Sequence, residues 1–313
     1  MLLFTLLGNA LVLVTRFFME DKNVAQKFLI MSLGASDVLM GIYLTIIAIK
    51  DETWRGAYFH HDHEWRASVG CRVAGVLALM SSQASLLTLV FITYDRFRTI
   101  TNVMQLRKLG ARSICAILAT IWLTSFALAV IPAVVRPYFN DDEDDGTFYG
   151  TNTLCLPLQL PHKKSAGWEY CLALFGGVNL LMSLYMAVAY AWMFVSIRKT
   201  GQAVRSERMK RESTLAKRML FIVVTDLLCW FPVVGVIYLS LFRLLRNGGQ
   251  VIAYLAVCFI PINSALNPII YTIFTPSVLN KIRAIIIATR GASSQATTVN
   301  HSNAERNTEE NRL

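Results

Sequence analysis

QVIAYLAVCFIPINSALNPIIYTIF occupies positions 250–274. It holds no Lys, Arg, Asp or Glu. About 20 mainly apolar residues cross a bilayer as one helix, so the stretch reads as a membrane span. Asn263, Ser264 and Asn267 are not needed for solubility in lipid. Polar groups at that depth face a bundle interior and mark function. Pro268 removes a backbone hydrogen bond and crowds the preceding turn, which kinks or loosens the helix. A kinked helix can swing one half; the alternative is a static bend.

Six more apolar runs lie upstream, at 1–17, 28–50, 69–98, 113–136, 167–197 and 215–243. The composition, 55% hydrophobic and 16% charged with mean hydropathy +0.47, departs from a soluble protein's, in which about 25% of residues are charged. The fold class expected is an all-α membrane protein: a seven-transmembrane helix bundle over 1–274, a short amphipathic helix over 275–290, and a disordered tail over 291–313. Val278, Leu279, Ile282, Ile285 and Ile286 recur at helical spacing beside Lys281, Arg283 and Arg290. That pattern fits a helix lying on the cytoplasmic interface, or one packed on protein. The tail is rich in Ser, Thr, Asn and Glu and cannot bury a core. Residues 1–14 resemble a signal-peptide core in length, but no basic segment precedes them and no small-residue cleavage site follows. The chain starts inside its first span, so a natural first span is expected to begin further upstream.

The net charge of +10 suggests nucleic acid until its distribution is examined. With seven spans the loops alternate sides, and 21 of the 30 Lys and Arg fall on one side, eight of them between positions 198 and 218. By the positive-inside rule that side is cytoplasmic. The expected localisation is multi-pass in the plasma membrane, with the amino terminus outside and the carboxyl terminus inside. The basic inner loop suits anionic membrane lipid, not nucleic acid.

Asp37 and Asp226 are carboxylates inside apolar runs. A charge at mid-bilayer costs about 2.5–3.5 kcal/mol on insertion scales. One reading makes them the proton or ion relay of a transporter. No half-to-half repeat and no paired broken helices support it. No HExxH, GxSxG or Ser/His pair within the spans supports an enzyme, so none is expected and no catalytic residue is assigned.

Short signatures sit on the spans in order: Gly8-Asn9 on the first, Leu33-x-x-x-Asp37 on the second, Asp95-Arg96-Phe97 closing the third, Cys229-Trp230-Phe231-Pro232 on the sixth, and Asn267-Pro268-Ile269-Ile270-Tyr271 on the seventh. Each alone arises by chance. The ordered set resembles the rhodopsin-like G-protein-coupled receptors, over residues 1 to about 290. The resemblance implies a heterotrimeric G protein as partner. It implies an activation switch and coupling surface built from Asp95, Arg96, Tyr190, Glu212, Asp226, Trp230, Pro232, Asn267, Pro268 and Tyr271. An Arg96–Glu212 ion pair could tie the third and sixth spans; alternatively Glu212 pairs with Lys210, Arg211 or solvent. Asp226 can hydrogen-bond Asn263 or Asn267 and hold a resting state, or be protonated and inert.

The resemblance also implies a sodium ion at Asp37, Ser85, Asn263 and Asn267, with Asp37 as its charged ligand. Hard cations take oxygen ligands. The competing reading is a water-filled network, and no other cofactor is expected. Cys71 and Cys155 both face the oxidising side, where disulfides persist, and the resemblance implies that they pair. Cys171 is left as a spare thiol.

His60-His61-Asp62-His63-Glu64 suggests a metal cluster, but consecutive residues rarely converge on one ion, and a solvated loop is expected. The acidic run 141–145 reads as a solvated face, or as a contact for a basic peptide.

Ala78, eighteen residues before Arg96, stands where amine receptors carry an aspartate, and the seventh span has no lysine for a retinal Schiff base. The fifth span has Met182 where a proline is usual. That absence and Asp226 are similar to the leucine-rich-repeat hormone receptors. Phe148-Tyr149-Gly150 leading to Cys155-Leu156-Pro157, Gly177-Val178-Asn179-Leu180-Leu181 and Ser240-Leu241-Phe242-Arg243 look most like the relaxin receptors. This group implies a peptide hormone captured by a leucine-rich-repeat ectodomain, a stimulatory G protein and cyclic AMP. These 313 residues contain no such repeat, so high-affinity hormone binding is not expected of them.

Overall fold

The structure is a computed structural model that describes residues 2–18, 24–101, 109–139, 147–157, 159, 166–199, 207–244 and 248–273. The expected helix at 275–290, the tail at 291–313 and the acidic run at 141–145 lie outside the described residues. The chain divides into two compact units, Met1–Pro268 and Ile269–Leu313. The first holds nearly all of the bundle. Of the second, only 269–273, the end of the last helix, is described.

Every described regular segment is helical. Lipid offers no partner to a backbone N–H or C=O, so a spanning chain must satisfy both within a helix or a closed barrel. The spans are Phe4–Phe18, Val24–Thr53, Val69–Thr101, Ala111–Val134, Trp168–Arg198, Glu207–Leu241 and Gly248–Ile273. Among the described residues, the second to fifth spans and Met219–Leu241 of the sixth are each long and apolar enough to cross a membrane. The third is the axle: it packs against the second, fourth, fifth and sixth. Several of its hydroxyls bond backbone or the second span, as where Ser81 Oγ donates to the Ser36 carbonyl at 2.7 Å and Thr88 Oγ1 lies 3.1 Å from Ser32 Oγ.

Three segments differ from expectation. The segment 51–68, expected to be an outer loop, contains a helix, Tyr58–Ala67, anchored by the buried Trp65. Trp65 Nε1 donates to the Thr153 carbonyl at 2.9 Å. The sixth helix begins at Glu207, inside the segment expected to be an inner loop, so its basic first turns extend the span. The fifth span lacks its proline yet is not a plain α-helix: Leu172–Asn179 is π-helical. A π-turn leaves a carbonyl without its usual partner. Here the Tyr238 hydroxyl of the sixth span donates to the Gly176 carbonyl at 2.8 Å.

The end of the bundle that carries Cys71 is closed by the loop between the fourth and fifth spans, expected to lie outside. Cys71 and Cys155 form a disulfide across 84 residues. Phe148 and Tyr149 are fully buried beneath it, and the Tyr149 hydroxyl donates to the Ala129 carbonyl at 2.6 Å. Gly75 makes this possible. A Cβ there would collide with the Tyr149 ring and lie 2.6 Å from the Cys155 carbonyl oxygen.

Candidate functional site: a polar core under a closed outer face

Two carboxylate–amide pairs sit in the interior. Asn267 Nδ2 donates to Asp37 Oδ2 at 2.8 Å, joining the seventh span to the second. Asn263 Nδ2 donates to Asp226 Oδ1 at 2.8 Å, joining the seventh to the sixth. One helical turn separates the two asparagines, so they share a face and reach different neighbours. Asp37 and Asp226 are each 1% exposed. On the first span, Asn9 Nδ2 donates to the Thr5 carbonyl at 2.8 Å and the Ser264 carbonyl at 3.0 Å. Gly8 lets that helix approach closely, since a Cβ there would meet Pro268 Cγ at 3.1 Å.

The pairs leave oxygen atoms over. Asp37 Oδ1, Ser85 Oγ, Asp226 Oδ2, Asn263 Oδ1 and Asn267 Oδ1 are buried with no hydrogen-bond partner among the described residues. Buried polar atoms normally find partners. A set made up of oxygen atoms suits a hard cation. The expected sodium ligands therefore fit that ion on donor chemistry, and Asp226 joins them.

At the end of the third span away from Cys71, Arg96 is 4% exposed, and its Nη2 lies 3.3 Å from Asp95 Oδ2. Tyr190 is buried in the fifth span, on the side of Thr93 and Arg96. Glu212 and Tyr271 fall on the sixth and seventh helices, but their side chains are outside the described ones, as is any Arg96–Glu212 pair.

Above the polar core, Trp230 stacks on Phe175, with centroids 5.7 Å apart and planes at 18°. These rings line an apolar cavity of about 20 Å³ with Met40, Ala78, Leu79 and Ser82, covered by Leu156 and Pro157 of the outer loop. Ala78 faces it, and its walls carry no charge. The role of Leu156 and Pro157 as a cover was not legible in the sequence; the positive φ of Cys155, which turns the chain inward, became visible only in the fold.

Cys171 is a buried free thiol donating to Gln159 Oε1 at 2.7 Å. The histidine run does not build a metal centre. His61 stacks on Trp54 with centroids 5.1 Å apart and lies 3.5 Å from Glu64, and no group of three metal-binding side chains converges among the described residues.

The comparisons agree with this architecture. The family model described as "7 transmembrane receptor (rhodopsin family)" matches residues 8–271. The chain is 38% identical over 278 residues to "G-protein coupled receptor GRL101" of Lymnaea stagnalis, an alignment covering 89% of this chain and 24% of that protein. It is 37% identical over 285 residues to relaxin receptor 2 of Homo sapiens, covering 90% and 37%. With human relaxin receptor 1 the identity is 36% over 275 residues, covering 87% and 35%. The chain thus spans well under half the length of these curated relatives. The family is one of multi-pass plasma-membrane receptors that act through heterotrimeric G proteins, not of enzymes. With its helical bundle, its ordered signatures and a family match running from the first span to the seventh, the chain belongs to the rhodopsin family of seven-transmembrane receptors.

Proposed function

We propose that this chain is the transducing bundle of a receptor for a relaxin-like peptide hormone, coupled to a stimulatory G protein with cyclic AMP as output. The amino terminus lies outside and the carboxyl terminus in the cytoplasm, the orientation supported by the distribution of Lys and Arg. The hormone reading is supported by the likeness to relaxin receptors 1 and 2. It is also supported by an outer cavity that offers an ammonium ligand no counter-ion and is covered by the protein's own loop.

The observation that carries the mechanism is the Asp226–Asn263 bond between the sixth and seventh spans. It lies six residues before Pro232, where the helix has lost a backbone bond. In the resting state the bond holds the sixth span against the seventh. A stimulus on the outer loop favours a second state in which that span swings out and a cavity floored by Arg96 admits a helix of the G protein. Glu212 biases the closed state through Arg96, and Tyr190 lines the opened cavity. A sodium ion held by Asp37, Ser85, Asn263 and Asn267 adds to the closed state's stability by supplying positive charge to their unpartnered oxygens.

The test is nucleotide exchange. Purified chain in lipid nanodiscs is mixed with a purified stimulatory heterotrimer, with and without Asp226→Ala. The variant should raise the exchange rate severalfold. If neither protein accelerates exchange, the coupling assignment fails.

A further inference from the structure

A second cavity of about 20 Å³ lies beneath Trp230, walled by Ser81, Ser85, Asp226, Cys229, Asn263 and Ser264 among others. We propose that Asp226 is a direct ligand of the interior cation site, which thereby gains a carboxylate from the sixth helix beside the second, third and seventh helices that already contribute to it. The inference builds on the sodium reading above and names the residue that links the ion to motion of the sixth span.

Size, atom type and position each support it. The cavity has room for about one water-sized particle. Three wall atoms have no partner among the described residues: Asp226 Oδ2, Ser85 Oγ and Asn263 Oδ1. All three are oxygens, and the two on Asp226 and Asn263 can only accept unless the acid is protonated. Asn263 has directed its amide nitrogen at the other oxygen of Asp226, which turns its own oxygen to face the same demand. An anion would be repelled by the Asp226 carboxylate and find no donor in Asn263 Oδ1, and an apolar group would leave all three unsatisfied. A small cation satisfies them together. Asp37, the carboxylate expected to hold the ion, does not line this cavity; its Oδ2 accepts from Asn267 and its Oδ1 has no partner among the described residues. Asp226 is the carboxylate on the cavity wall itself, beside the Asp37 pair.

The consequence is a reciprocal coupling. Asp226 belongs to the helix that carries Pro232, so opening of the sixth span withdraws a ligand. The ion then binds the closed state more tightly than the open one, and by linkage its binding disfavours opening to the same degree.

The test uses the purified chain in nanodiscs, melted across a sodium chloride series at constant ionic strength with N-methylglucamine chloride as replacement. Wild type should gain stability along a saturable curve. Asp226→Asn, near-isosteric but uncharged, should move the midpoint to at least tenfold higher sodium, equivalent to about 1.4 kcal/mol. Asp226→Glu keeps the charge but drives the carboxylate further into a water-sized cavity, and should also move the midpoint. It serves as the second probe if Asp226→Asn gives no cooperative melt. A midpoint unchanged in either variant, with Asp37→Asn abolishing the sodium response, overturns the role of Asp226 and leaves the sodium reading standing. A wild type indifferent to sodium overturns both. Relaxation of ²³Na in the presence of each folded variant provides a readout independent of stability.

Discussion

Asn263 gives its amide hydrogen to Asp226 at 2.8 Å, while Asn267, one turn further along the same helix, gives its own to Asp37 at the same distance. The seventh span thus grips the sixth and the second through two carboxylates buried in an apolar bundle. Hydrogen bonds to charged groups contribute about 1.5–3 kcal/mol, and a buried group stripped of its partner costs a comparable amount. A two-state switch needs a bias of that size.

Asp226→Ala removes the acceptor and leaves the half-buried Asn263 amide without it. Basal cyclic AMP should rise severalfold in cells at matched surface expression. A basal level equal to wild type would show that this bond does not restrain the sixth span.

Glu212→Ala should act in the same direction but more weakly. A single ion pair worth about 1 kcal/mol limits the rise in basal cyclic AMP to about fivefold. Asp226→Ala should exceed it in the same assay. The reverse order would place the main restraint at the cytoplasmic end.

Gly75→Ala should abolish surface expression, because the new methyl meets the Tyr149 ring and the Cys155 carbonyl, neither of which can retreat beneath the disulfide. Gly235→Ala is the control. Nothing lies within 4 Å of its would-be Cβ, and replacing a mid-helix glycine stabilises by about 0.5–1 kcal/mol. Flow cytometry of an epitope-tagged chain reads both.

Cys155→Ser, or reductant on the purified wild type, should lower the melting temperature. Opening the 84-residue loop costs about 2–5 kcal/mol by loop entropy and lost anchoring. Cys171→Ser should change little by comparison, since a hydroxyl can still donate to the Gln159 carbonyl oxygen. Equal losses in the two variants would contradict the pairing.

Tyr238→Phe tests the π-helical segment of the fifth span. It leaves the Gly176 carbonyl without the hydroxyl that now serves it, at a cost of about 1–3 kcal/mol. A lowered melting temperature with unchanged expression is the expected result. An unchanged melt would mean that the carbonyl has another partner.

Much of the architecture was legible because lipid is an unforgiving solvent. Apolar runs of spanning length must be helices, and Lys and Arg sort to one side. Cys71 and Cys155 were legible as a pair through shared compartment and resemblance. The outer helix Tyr58–Ala67 was not: its helical state depends on Trp65 finding a pocket and a carbonyl from a loop 88 residues away. The π-segment was hidden for the same reason, since its freed carbonyl is served by Tyr238 from another span.

The sequence by itself determined that Asp37, Asp226, Asn263 and Asn267 are interior, because no lipid-facing position tolerates them, and that the two asparagines share a helical face, because they stand four residues apart. It left open which amide serves Asp226. Only the tertiary structure decided that, along with the placement of Asp226 and not Asp37 on the wall of the water-sized cavity. Helical periodicity sets which side chains point the same way. The depth and rotation of each helix against its neighbours set which of them meet, and those come from packing across spans far apart in the chain.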